Sequence, residues 1–348
     1  MLSTAVRAAR FPSLRHNVAK KKIHVFREDK LLEKKVIAIS DCDHLLMIEE
    51  QRVCARYGLE YVLFQCKTED DLIRDLGGYE AVVNQYAPFT ERVFAALPEL
   101  KMVVRYGVGV NNIDLEAATR HHVAVCNVPD YGVQEVASHA LALMMALTRK
   151  IVVMDASVKN GEWEYAKSIP IRRYKEMTFG VVGLGRIGTC FAELVRPFGG
   201  RILGSEIDPN RAVPDFVERV DFDTLVRESD VISLHCNLET SRNLIHMGVL
   251  KQMKRDAVLI NVSRGGIVNE SDLAEALNQE LIAGAGIDVT GLEPLPFSSP
   301  LLTAKNIVLT PHMAWYSEEA SSDLKTKTAE EAARWLKGKP LLNQLNKF

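Results

Sequence analysis

Three polar side chains stand where strands of this chain would end. Arg264 follows Ile260-Asn261-Val262-Ser263 and precedes Gly265 and Gly266. Glu293 lies in the loop Thr290-Gly291-Leu292-Glu293-Pro294, beyond a strand expected at 284–289, and His312 follows a strand expected at 307–309, with Thr310 and Pro311 between. Alone, each has an ordinary reading: a surface ion-pair partner, a solvated loop acid, a structural histidine. Together they supply what hydride reduction of a 2-oxo acid needs. A guanidinium grips a carboxylate with two parallel hydrogen bonds, and an imidazole donates a proton to the oxygen where charge develops. A free imidazole titrates at about pH 6.5, and a carboxylate neighbour favours its charged form, so Glu293 is expected to support His312.

The hydride carrier is expected at Gly180-Val181-Val182-Gly183-Leu184-Gly185-Arg186-Ile187-Gly188. Gly183, Gly185 and Gly188 have the G-x-G-x-x-G spacing: a tight turn, a close backbone approach to phosphate, and close packing of helix on strand. Such turns also close ordinary strand–helix junctions, so the context decides. A buried strand at 178–182 precedes the turn, and Ile187, Cys190, Phe191, Leu194 and Phe198 recur after it at helical spacing until Pro197-Phe198-Gly199-Gly200. The positive end of that helix would face a pyrophosphate. A strand at 201–205 then delivers Glu206, 18 residues past Gly188, near the offset at which an acid binds the ribose hydroxyls of NAD and repels the extra phosphate of NADP. Asp208 competes for that role, and spacing leaves the two open.

These residues need a doubly wound scaffold, in which ligands sit at the carboxyl ends of parallel strands. Strands are expected at 36–40, 61–64, 81–84, 102–105 and 123–127 in a first unit. A second has them at 179–182, 202–205, 231–235, 258–262, 284–289 and 307–309, with helices between. An apolar helix over 134–159 joins the units and is expected to be buried at an interdomain or subunit contact. A last helix, about 318–337, has no strand after it and can pack back on the first unit.

With 348 residues, 47% hydrophobic and 25% charged, the chain can build two cores. The longest apolar run, 140–147, is too short to span a bilayer, and no membrane association is expected. Cys42, Cys54, Cys66, Cys126, Cys190 and Cys236 are widely spaced, without a C-x-x-C pair, and read as reduced core residues with no metal site. Arg7, Arg10, Arg15, Lys20, Lys21, Lys22 and Arg27 precede the first acid, Glu28. The remainder is therefore acidic and has no electrostatic reason to bind nucleic acid. The basic leader, 1–33, is read as a solvated tail on a cytoplasmic protein, with a mitochondrial targeting segment as the alternative.

Several spaced motifs resemble the D-isomer-specific 2-hydroxyacid dehydrogenases, over about 35–337. They are Gly183-x-Gly185-Arg186-Ile187-Gly188, Ser263-Arg264-Gly265-Gly266-Ile267-Val268, Ala283-Gly284-Ala285-Gly286-Ile287-Asp288-Val289 with Glu293-Pro294, and Thr310-Pro311-His312. The stretch from Arg105-Tyr106-Gly107-Val108-Gly109 to Arg120 resembles the substrate loop of phosphoglycerate dehydrogenases, and His312-Met313-Ala314-Trp315-Tyr316-Ser317-Glu318 resembles the C-terminal-binding protein branch. The resemblance implies an NAD domain (129–314) inserted into a flavodoxin-like substrate domain (34–128 and 315–348), a homodimer, and Arg264, Glu293 and His312 as the catalytic set. It implies cofactor contacts at the three glycines, Arg186, Ile187, Glu206, His235, Cys236, Asn237, Val262, Ser263, Asp288 and His312. It also implies substrate contacts at Val108, Gly109, Arg264 and Trp315; for Val108 and Gly109 the competing reading is a plain turn before a helix capped by Asp114. If Trp315 lines the pocket, an apolar 2-oxo acid fits better than a phosphorylated one. Glu293 weighs against formate dehydrogenase, where glutamine pairs with the histidine. Asn111 for the usual aspartate, Ser138 for an acid and Asn237 for proline depart from the pattern. The alternative expectation is an NAD-sensing, corepressor-like dimer that binds peptides; the short stretch from the last helix to Phe348 favours the enzyme.

Overall fold

Short runs, most of them apolar and buried on both faces, make the strands of two parallel sheets, as expected when helices cover both sides. The computed structural model describes residues 35–44 and 46–348, so the basic leader 1–33 lies outside the described residues. The first sheet contains β1 (Val36–Ile39), β2 (Glu60–Leu63), β3 (Ala81–Asn84), β4 (Met102–Arg105) and β5 (Ala124–Cys126), in the order β2-β1-β3-β4-β5. The second contains β6 (Thr178–Val182), β7 (Arg201–Ser205), β8 (Glu218–Arg219), β9 (Val231–Leu234), β10 (Val258–Asn261), β11 (Gly284–Ile287) and β12 (Ile307–Leu309), in the order β12-β11-β10-β9-β6-β7-β8. Each strand order reverses once, between β1 and β3 and between β6 and β9. Those reversals open crevices at the strands' carboxyl ends, and they put the turns after β6 and β9 side by side.

Helix starts are set by side chains that accept orphan backbone N–H groups. Asp114, Asp221, Asn269 and Ser317 each cap one helix, accepting from Ala117, Thr224, Asp272 and Ala320; each such cap is worth roughly 1 kcal/mol. The helix Arg186–Val195 buries Phe191, Ala192 and Val195 against β6, and Phe191→Ala there would cost about 3–5 kcal/mol. The final helix, Glu318–Leu336, returns to the first unit and packs Leu324, Ala329, Ala332 and Ala333 into its core. A bridge between Cys126 and Gln344 then adds the tail to the edge at β5.

The expected single helix over 134–159 is two. Val133–Thr148 ends at Arg149, Lys150 takes a left-handed φ of 54°, and Ile151–Lys159 continues at a 55° bend. The first piece buries Ala137, Ala140, Leu143 and Met144 against the second sheet. The second piece leaves Ile151, Val152, Val153 and Val158 exposed. Among the described residues no single helix is long and apolar enough to cross a membrane.

Candidate active site

The turn after β6 is formed as its glycines dictate. Gly183 has a φ of 88°, and a Cβ at Gly188 would lie 1.9 Å from the Gly183 carbonyl oxygen, so any larger residue would push the helix off the strand. Gly185 is the N-cap of Arg186–Val195 and offers no side-chain cap, which leaves first-turn N–H groups facing the crevice. Arg186 is exposed on its lip, and Ile187 is half-buried. The crevice has a volume of about 790 Å³ and is lined by Tyr131, Gln134, Gly185, Arg186, Thr189 and Arg211 among others.

Glu206, rather than Asp208, turns back onto the glycine turn. Its Oε2 accepts the Leu184 N–H at 2.9 Å and lies 3.2 Å from Arg211 Nε, with the side chain only 6% exposed. Asp208 points outward and accepts the Asn210 N–H. The residues present therefore fit a dinucleotide: glycines where phosphate must approach, free N–H groups, and a fixed carboxylate beside the turn.

Of the other expected cofactor contacts, His235 and Cys236 reach the turn through backbone. A Cβ at Gly183 would lie 2.8 Å from the His235 carbonyl oxygen and 2.9 Å from the Cys236 nitrogen. The His235 ring is directed inward, 5.3 Å from Phe191 and bonded to Ser233 Oγ at 2.8 Å, and its Nδ1 is buried without a partner among the described residues. Burial pushes its pKa down to about 3. Asn237 spends its side chain capping Leu238–Ser241. Val262 is buried, and the Ser263 N–H is held by Asn261 Oδ1 at 3.1 Å. Asp288 differs most from its expected role. Its carboxylate accepts Thr310 Oγ1–H at 2.6 Å and the Met313 and Ala314 N–H groups at 3.0 Å each. That carboxylate thus shapes the loop that presents His312.

The proposed acid–base pair is in hydrogen-bond contact: His312 Nδ1 and Glu293 Oε2 are 2.6 Å apart, both side chains partly exposed to the cleft. His312 has a φ of 52°, and its N–H donates to the Asp288 carbonyl at 2.8 Å, which aims the ring back across the strand ends. Burial pushes the Glu293 carboxyl up. Hydrogen bonds from His312 and Thr290, with the charges of His312 and Arg264, outweigh that and leave it below the ordinary carboxylate range. Nδ1 is engaged, so Nε2 is the atom left to face a substrate.

Arg264 is brought to the same cleft from the loop after β10. Nη1 donates to the Ser263 carbonyl at 2.7 Å, and Nε reaches Asn111 Oδ1 of the first unit at 3.4 Å. A Cβ at Gly109 would lie 2.0 Å from Arg264 Nη2, so the loop containing Val108 and Gly109 faces this guanidinium directly. Asp114 caps the helix that follows, as in the competing reading, so that loop has both features. Asn111 also donates to the Glu239 carboxylate across the cleft. An aspartate at 111 would set two carboxylates against each other, which accounts for the departure from the family pattern. Trp315 is half-buried, packed edge-on to Tyr131 at 6.0 Å and to Tyr316 at 5.6 Å, at the border of the first unit's core.

Sequence reasoning missed Arg105. It ends β4, and its guanidinium folds over the loop so that a Cβ at Gly107 would lie 1.6 Å from Nη1. Its Nε is buried without a hydrogen-bond partner among the described residues. Burial lowers its pKa; Tyr131 opposes this, and Arg264 adds to it. A charged residue closing an otherwise apolar strand was the available signal. Among the described residues no group of three or more His, Cys, Asp or Glu side chains is placed to hold a metal.

Residues 141–314 match the family model described as D-isomer specific 2-hydroxyacid dehydrogenase, NAD binding domain. The chain is 38% identical to a D-3-phosphoglycerate dehydrogenase of Archaeoglobus fulgidus, over 83% of this chain and 55% of that protein. It is also 38% identical to a glyoxylate reductase of Korarchaeum cryptofilum, over 74% of this chain and 80% of that protein. The chain spans about half the length of several curated relatives it matches. A D-isomer specific 2-hydroxyacid dehydrogenase of Lactobacillus delbrueckii ssp. bulgaricus, solved in complex with NAD, superposes with a TM-score of 0.75 at 26% identity, covering 89% of this chain and 100% of that one. Two parallel α/β units, the glycine turn with its acid, and the relatives lead to one conclusion: the chain belongs to the family of D-isomer specific 2-hydroxyacid dehydrogenases.

Proposed function

We propose that this protein interconverts a 2-oxo acid and a D-2-hydroxy acid. The contact that carries the reading is the 2.6 Å pair of His312 and Glu293 in the cleft that also receives Arg264. Bound at the glycine turn, NAD(H) supplies or accepts the hydride. Gly183, Gly185 and Gly188 let the backbone approach the pyrophosphate, and Glu206 holds the ribose hydroxyls. Arg264 grips the substrate carboxylate, assisted by N–H groups at Val108 and Gly109, and orients the oxo group toward His312. His312 Nε2 donates a proton to the oxygen as it gains charge, and takes it back in the oxidation direction. Glu293 stabilises the protonated imidazole and fixes its tautomer. Arg105 adds a second cation to the substrate side and favours anionic substrates, while Trp315 and Tyr131 form an aromatic wall.

Exposed Ile151, Val152, Val153, Trp163, Tyr165 and Ile169 form one apolar arm; Trp163 is 89% exposed. Such a patch favours a homodimer built through this arm. The six cysteines are free and four are buried, which favours a reducing compartment such as the cytoplasm.

The test is NADH oxidation with a panel of 2-oxo acids, the product being analysed for chirality. Turnover to a D-hydroxy acid by the wild type, and its loss in Arg264→Ala and His312→Ala, supports the reading; a wild type inert across the panel overturns it.

A further inference from the structure

Glu293 sits on a turn with little packing to hold it. Beside the turn lies an open groove of about 450 Å³, bounded by Asn243, Val268, Glu270, Leu292 and Pro300. Leu292 is 68% exposed, and Phe297 is fully exposed. The turn is closed on itself by the Thr290 N–H on Glu293 Oε1 at 3.0 Å and by Thr290 Oγ1–H on the Leu292 carbonyl at 2.9 Å. Besides the His312–Glu293 pair itself, two contacts tie it to the rest of the protein. One is steric: the Thr290 carbonyl oxygen rests where a Cβ at Gly265 would be, at 1.9 Å. The other is chemical: Glu270, first residue of the helix Glu270–Asn278, accepts the Gly291 N–H on Oε1 at 2.6 Å. A carboxylate acceptor makes this bond about twice as strong as a neutral one.

We propose that Glu270 is a positioning residue for proton transfer: by capturing the Gly291 N–H it holds the turn so that Glu293 gives one oxygen to Thr290 and the other to His312. Without that anchor the turn is free to shift into the groove, and the carboxylate leaves the imidazole. The inference rests on the acid–base reading of Glu293 and His312 given above. Glu270 touches neither substrate nor cofactor in this scheme and acts through Glu293.

The experiment uses the full chain loaded with NADH. The readout is the downfield proton resonance of the Nδ1–H···carboxylate bond, assigned by its loss in His312→Gln. Glu270→Asp keeps a negative charge at the helix start but is one methylene too short to reach Gly291; Glu270→Ala removes both features, and Glu270→Gln keeps an acceptor oxygen in place. The expected result is a resonance kept in Glu270→Gln and lost in Glu270→Asp and Glu270→Ala, as in Glu293→Gln, with the melting temperature of Glu270→Asp unchanged. A resonance unaltered in Glu270→Asp and Glu270→Ala, but lost in Glu293→Gln, overturns the positioning role alone. A wild type without the resonance, or one that survives Glu293→Gln, removes the acid–base reading and the positioning role together.

Discussion

Replacing His235 with glutamine isolates the linkage between one buried imidazole and acid stability. The ring is packed on Phe191, its Nε2 meets Ser233 Oγ, and burial lowers its pKa from 6.5 to about 3. Between these values the unfolded chain binds a proton that the folded protein refuses, so stability falls as pH falls. The loss begins near pH 6.5 and grows by ~1.4 kcal/mol per pH unit until the folded ring itself titrates. From pH 7 to pH 5 this single group therefore removes about 2 kcal/mol. Urea denaturation of wild type and His235→Gln at both pH values cancels every other titrating group. The substitution lowers stability at pH 7, since glutamine fills the site less well. The informative quantity is the difference between the two proteins' pH dependence, with the variant losing about 2 kcal/mol less. Equal losses in both would show that the ring is solvated or protonated in the folded state and refute the reasoning.

Arg105→Met removes a cation whose Nε is buried without a hydrogen-bond partner among the described residues. The variant is expected to melt at a higher temperature than the wild type while its KM for anionic 2-oxo acids rises about tenfold or more, a trade expected when a site stores an unsatisfied donor; thermal shift and steady-state kinetics check both, and a lower melting temperature with unchanged KM contradicts it. Glu206→Gln removes the charge opposing a 2′-phosphate and frees Arg211 to meet one. Fluorescence titration should show NADPH affinity rising at least about tenfold, the equivalent of ~1.4 kcal/mol, relative to NADH, whereas an unchanged ratio would place the cofactor's ribose elsewhere. Trp163→Asp, on the exposed arm, is expected to yield a monomer in sedimentation; a dimer unchanged by the substitution would move the interface off this arm.

Local pattern and local chemistry coincide in much of this chain. The glycine turn could be located because Gly183, Gly185 and Gly188 must be glycines for steric reasons that are local. The strands were legible because each buried run is short, apolar and followed by a turn. Legibility failed where the deciding contact is distant. Apolar runs on both sides, 141–147 and 151–154, hide the break at Lys150, which shows itself as a left-handed residue and an exposed second piece. The edge strand β8 is Glu218 and Arg219, two charged residues with no hydrophobic signal. Glu206 and Asp208 both lie near the expected offset, and only the fold of the turn after β7 separates them. Asp288 looks like a cofactor ligand by position, yet its oxygens accept the Thr310 hydroxyl and the Met313 and Ala314 N–H groups, 22 to 26 residues later. Arg105, Glu270 and Asn111 gain their meaning from partners on other strands and across the cleft, which spacing does not encode.

Convergence of Arg264, Glu293 and His312 on one bound 2-oxo acid is tested most directly by single-turnover hydride transfer in His312→Gln. NADH bound to the variant should quench protein fluorescence as in the wild type, while transfer to the wild type's best 2-oxo acid slows by about 10²–10⁴-fold, the usual worth of a general acid. Transfer at the wild-type rate with His312 replaced would contradict the account.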